Sequence, residues 1–229
     1  MIVEQGSSMN ARLSLGAGDL SPRYDDALIY AAAHHRRQMR KGCQVPYLAH
    51  LMSVSALVLE HGGSEVAAIG GLLHDAVEDA PRGEGPRVLA EIEGKFGAEV
   101  AGIVRACSDG LDEAGNRSGT WVERKQPYLQ ALPHKTLDAL RVTAADKTHN
   151  AGCIADDVRT YGPEFWDVFN ACRHQILWYY GSVLHHFEQA LPASTITASL
   201  RDAVGRLANA AGSDLPSGGA DLPRCGCTD

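Results

Sequence analysis

Apolar residues recur along this chain at helical spacing and almost nowhere alternate as they would in a strand. Ser21-Pro22 is a helix start, and Ala27, Leu28, Ala31, Ala32 and His35 then share one face of a helix expected over Tyr24–Arg40, which Lys41-Gly42 ends. A second apolar helix is expected over Leu51–His61, stopped by Gly62-Gly63. Ser64 can cap a third, running through Val66, Ile69, Leu72, Leu73 and Val77 as far as Pro81. Shorter helices follow at Val88–Glu93 and Ala98–Cys107, then a polar loop over 108–119. Trp121–Leu132 forms a helix broken or bent at Pro127, and two long helices are expected over Lys135–Asp157 and Pro163–Ala190. This pattern predicts an all-α fold, a single helical bundle without internal repeats.

Both ends lack that periodicity. The pattern predicts a flexible N-terminal arm over 1–20, a folded domain over 21–192, and a C-terminal helix and flexible tail over 193–229, with burial ending near residue 210. Cys225 and Cys227 lie in that tail, where two thiolates alone make a weak metal site.

Composition narrows the class. The 229 residues are 45% hydrophobic and 21% charged, enough for a packed core. A formal charge of -7 argues against a nucleic-acid-binding surface, although Arg36, Arg37, Arg40 and Lys41 form a local basic cluster suited to a small anion. No run reaches the length of a membrane span and the N-terminus is not a secretory signal, so a cytoplasmic protein is expected. The other four cysteines are scattered, as in a reducing compartment.

Chemistry concentrates in three places. LLHDAVEDA (72–80) sets His74, Asp75, Glu78 and Asp79 into an apolar helix, where His74 and Glu78, and likewise Asp75 and Asp79, would share faces. Carboxylates at a core-facing surface need a compensating charge, which a divalent metal supplies. PYLAHL puts His50 at the start of a helix, and AADKTHN places Asp146, with Asn150 one turn on. Two imidazoles and two carboxylates suit manganese, iron, cobalt or zinc. The remaining histidines read as packing or support: His34 and His35 near the site, His149 beside it, His61 at a helix end. Trp166, Trp178, Tyr179 and Tyr180 read as core.

RKGCQVPYLAH, GLLHDAVED, KFGAEVAGIV, ERKQPYL and ADKTHN, in this order over residues 24 to about 185, resemble the hydrolase domain of RelA/SpoT proteins. The sequence looks most like the free-standing small alarmone hydrolases, the type that includes the metazoan SpoT homologue. The resemblance implies an HD-domain phosphohydrolase with His50, His74, Asp75 and Asp146 as ligands of manganese or another divalent transition metal. It implies Glu78 and Asp79 as the catalytic pair that positions or activates water. Arg40, Lys41, Asn150, Arg124 and Lys125 would bind substrate. The implied reaction is removal of the 3′-pyrophosphate from an alarmone such as ppGpp. A ppApp-type alarmone, NADPH, or a catalytically silent nucleotide-binding module remain alternatives, and a homo-oligomer is left open. Leu51, Ala80, Cys43 and Gln44 depart from residues common in the family, without removing a ligand.

Overall fold

The computed structural model describes residues 19–109 and 119–215, so the N-terminal arm, the centre of the 108–119 loop and the Cys225/Cys227 pair lie outside the described residues. Within them the fold is all helical, and the only β-type pairing is an isolated bridge between Met39 and Pro46. The helices are α1 (Pro22–His34), α2 (Tyr47–Glu60), α3 (Glu65–Leu73), α4 (Gly85–Cys107), α5 (Trp121–Ala131), α6 (Leu137–Tyr161), α7 (Arg173–Ala190) and α8 (Thr195–Ala211). Short 3₁₀ turns, Leu132–His134 and Pro163–Val168, precede α6 and α7.

Two helices organise the rest. α3 is buried from Ala67 to Leu73 and packs against α1, α2, α4 and α6. α6 starts at Thr136, whose hydroxyl accepts from the Ala139 amide, and packs against α2, α3, α4 and α8. Small residues let these axes approach. A Cβ on Gly71 would lie 3.1 Å from the Ser55 Cα of α2, a backbone contact that cannot move aside. Ser55 closes the same seam, donating to the Ala68 carbonyl and bonding the Tyr24 hydroxyl of α1.

Five elements differ from the expectation. α1 ends at His34 rather than Arg40. Residues beyond it fold back, so that the Arg40 amide bonds the Val45 carbonyl and the Tyr47 amide bonds Gln38, partners that a continued helix would not provide. α2 begins one turn early, at Tyr47. The third helix stops at Leu73, and HDAVED forms successive tight turns, closed by Ala76 N–Leu73 O and Asp79 N–Asp75 O bonds. The expected Pro163–Ala190 helix is two pieces, because Phe169 turns extended and Phe165 and Trp166 bury themselves from the 3₁₀ turn instead. The two expected helices within 85–107 appear as one element broken at Gly97, where φ is +82°.

α8 packs along α6 through Ile196, Leu200, Val204 and Leu207, in the same core as α6 and α7. Residue 192 therefore does not separate two packing units among the described residues. His61, at the end of α2, bonds Thr195 and Ser199 of α8 and fixes that contact.

Gly71→Ala should lower stability by about 1–3 kcal/mol through overpacking. Thermal unfolding should show a drop of several degrees; an unchanged melting temperature would mean that the α2–α3 seam yields at no cost.

Candidate metal centre and its cavity

Three helices remote in sequence deliver the chemistry to one point. His50 comes from the first turn of α2, His74 closes α3, and Asp146 lies midway along α6. All three are buried, with donor atoms within 4.8 Å of one another. His50 Nε2 lies 3.3 Å from Asp146 Oδ1 and 3.6 Å from Asp75 Oδ2. His74 Nε2 lies 2.9 Å from Asp75 Oδ2 and 3.7 Å from Asp146 Oδ1. Neither buried Nε2 has an aligned hydrogen-bond partner.

The neighbours hold these rings and carboxylates in place. His74 Nδ1 bonds the Gly71 carbonyl at 2.8 Å; a carbonyl only accepts, so Nδ1 carries a proton and Nε2 is the atom that can ligate a cation once its own proton is displaced. His50 Nδ1 lies 2.9 Å from His149 Nδ1, and with His50 as donor its Nε2 is likewise free to ligate. The Tyr47 hydroxyl donates to Asp75 Oδ2 at 2.6 Å. The Lys147 ammonium meets Asp146 Oδ2 at 2.6 Å, and the Asn150 amide donates to Oδ1.

Burial alone would neutralise such groups, yet their mutual charges win. Burial pulls His74 down, but Asp75 and Asp146 hold it well above the usual imidazole range. Burial raises Asp75 and Asp146, and the histidines, with Lys147 at Asp146, hold both well below the carboxylate range. Positive charge is therefore strongly favoured between the imidazoles and the carboxylates. A divalent cation fits that demand and the N/O donor set, with both orphaned Nε2 atoms facing it.

A cavity of about 550 Å³ opens beside this cluster. Glu78, Arg40, Lys41, Arg124, Lys125 and Asn150 all line it, so the expected substrate-binding residues share one space with one of the two expected catalytic carboxylates. Asp79 is not on the lining. Its carboxylate accepts from Gln38 at 2.7 Å, and Gln38 is in turn bonded to His35 Nδ1. Burial and the Asp75 charge push Asp79 up to about 6. Arg40 lies over the Tyr47 ring and donates to Asn150 Oδ1 at 2.8 Å, while Lys41 donates to Asn170. The turn presenting these two cations needs Gly42, whose φ is +78° and whose absent side chain makes room for Phe165 and Val168.

The face-sharing expected of HDAVED assumed a continuous helix. The turns instead send Glu78 to the cavity and Asp79 to Gln38. Sequence reasoning missed Lys147, Tyr47 and Gln38. Two of these signals were readable, because Lys147 adjoins Asp146 and Tyr47 lies one turn before His50. Tyr179 and Tyr180 are buried, as a core reading requires, yet also line the cavity, whereas Trp166 and Trp178 do not.

The Asp79 carboxyl has a folded pKa above its unfolded value, so it costs stability as pH rises from about 4 through 6. Asp79→Asn should therefore stabilise the metal-free protein at pH 7.5, by at most roughly 3 kcal/mol, and do little at pH 4. Equal effects at both pH values in thermal melts would contradict this. His149→Ala should weaken divalent-metal binding about 10–100-fold, measured by chelator competition, with partial recovery in His149→Gln. Unaltered affinity would show that His50 needs no such partner.

Comparison with known proteins agrees with this geometry. A family model described as "HD domain" matches residues 27–175. Two curated relatives, the guanosine-3′,5′-bis(diphosphate) 3′-pyrophosphohydrolases MESH1 of Xenopus tropicalis and Homo sapiens, are each 31% identical over 144 residues, covering 62% of this chain and 72% of theirs. A solved structure of a metazoan SpoT ortholog that hydrolyses ppGpp superimposes with a TM-score of 0.64 at 25% identity, covering 83% of this chain and 98% of that one. No described helix is long and apolar enough to cross a membrane. The chain belongs to the HD-domain family of metal-dependent phosphohydrolases.

Proposed function

We propose that this protein is a metal-dependent (p)ppGpp 3′-pyrophosphohydrolase, which uses one water to split the alarmone into GDP and pyrophosphate. The observation that carries this reading is the buried convergence of His50, His74 and Asp146, with both imidazole Nε2 atoms lacking a partner, beside a cavity whose lining includes Arg40, Lys41, Arg124, Lys125 and Lys147. The relatives' activity and the order of the motifs support the substrate class.

His50, His74, Asp75 and Asp146 would hold a divalent cation, with manganese our choice for this N₂O₂ donor set. When bound, the ion supplies Lewis acidity at the scissile phosphate and lowers the pKa of water.

The chain's own residues do the rest. Glu78, on the cavity wall, accepts the proton of the attacking water. Asp79, held by Gln38 off the cavity wall, positions the acidic turn, and Glu78 returns the proton it has taken to the departing 3′-oxygen. Arg40 offers a planar face for the base, already backed by Tyr47, while Asn150 fixes its orientation. Lys41, Arg124 and Lys125 take the phosphates. Tyr47 holds Asp75 and excludes water behind it. The thiols of Cys43, Cys107 and Cys153 form no disulfide among the described residues.

Pyrophosphate release from ppGpp and ppApp should appear on adding manganese and disappear in Asp75→Ala. Glu78→Gln should lower kcat by about 10²–10⁴-fold while metal still binds. Absence of release from both alarmones, with metal bound and the fold intact, would reject the reading and direct the search to NADPH and other nucleotides.

A further inference from the structure

A second open cavity, about 760 Å³ in volume, lies next to the first and shares Asp109 and Arg124 with it. Its walls include Arg105 from the last turn of α4, Tyr128 from α5, and Lys135 just past the 3₁₀ turn. None of the roles described above uses Arg105 or Lys135.

The charges here do not balance. Three ammonium groups surround the Tyr128 ring: Lys135 at 3.8 Å from its centroid, Lys147 at 5.4 Å and Lys125 at 5.6 Å. Two carboxylates serve them, Asp109 paired with Lys125 and Asp146 paired with Lys147. Lys135 has no ion pair among the described residues, and its one hydrogen bond goes to the Thr143 hydroxyl at 3.3 Å. Arg124 has no ion pair there either; one of its terminal nitrogens donates to the Gly119 carbonyl, while its Nε is buried without a partner. The other carboxylate on the wall, Glu123, is engaged by the Thr120 amide in a capping box. An aromatic face offsets part of the cost of a desolvated cation, but it does not neutralise the charge.

We propose that this second cavity binds a small phosphate-bearing anion, held by Lys135, Arg105 and Arg124. A phosphate group brings close to two negative charges and three acceptor oxygens, which matches one ammonium and two guanidinium groups around a single space. A lone carboxylate would leave donors unused. Burial holds Lys135 down to about 8, so much of its amine is unprotonated in mildly alkaline solution and can be read directly by a chemical probe.

The probe is pyridoxal 5′-phosphate, applied to the full chain at pH 8. The Lys135 amine adds to the aldehyde carbon and water leaves; borohydride then delivers hydride to the imine, giving a stable secondary amine that peptide mass spectrometry locates. Lys135 should label at least tenfold faster than Lys95, which is exposed on α4. Pyridoxal without the phosphate should label it at least tenfold more slowly, and inorganic pyrophosphate should protect it. Arg105→Gln should slow Lys135 labelling several-fold while leaving alarmone hydrolysis unchanged. Labelling of Lys135 no faster than Lys95, or equally fast with pyridoxal, would overturn the proposal. Because the readout is modification of one residue, its outcome is independent of whether the protein hydrolyses ppGpp.

Discussion

Everything around the centre of this fold depends on burying opposite charges together inside a core built largely of alanine and aliphatic residues. His50, His74 and Asp146 sit where α2, α3 and α6 meet, with the buried Ala144 and Ala145 just before Asp146. An isolated carboxylate there would cost several kcal/mol. What makes the arrangement stable is that each charge has a fixed opposite: Lys147 against Asp146, imidazoles against both aspartates, and the Tyr47 hydroxyl against Asp75. The close helix approach at Gly71 brings these partners into range, so packing and electrostatics are one constraint.

The same constraint divides the labour of the acidic turn. Ending α3 at Leu73 frees His74 Nδ1 to bond the Gly71 carbonyl, which sets the tautomer of the ring. The tight turns after it then aim Glu78 and Asp79 at different partners. Two neighbouring carboxylates thereby acquire different environments, one on a cavity wall and one held in a part-buried hydrogen-bond chain, and differing environments are how paired acids come to have different proton affinities. The raised Asp79 is a local cost in stability, retained at the place where the chemistry is proposed.

The acidic overall charge conceals a cationic interior. Arg40, Lys41, Arg124, Lys125 and Lys147 line the main cavity, and Arg105 and Lys135 continue that field past Arg124 into the second one. Net charge governs behaviour in bulk solution, whereas a recess with low-dielectric walls focuses the field of the few groups lining it.

How much was legible in the sequence follows from the range of each signal. Helical periodicity is local, so the all-α class, the helix at Trp121 and the interruption near Gly97 were readable. The residues of the buried His/Asp cluster stood out because the His-Asp and Ala-Asp-Lys motifs put costly groups into apolar runs, which calls for compensation. The cations lining the cavity followed from the resemblance of whole motifs. Missed features depend on distant partners: α1 stops at His34 because Val45 and Tyr47 capture its continuation, and the segment after Pro163 breaks because Phe165 and Trp166 find burial in the core. Gln38 holding Asp79 spans 41 residues, and Arg40 reaching Asn150 spans 110. The sequence by itself determined the all-helical class and which residues are costly to bury, and so where a site was to be sought, because both signals are local. Tertiary structure alone decided which of them meet, and which cations near Tyr128 are left without a carboxylate, because pairing energies depend on distances that chain order does not encode.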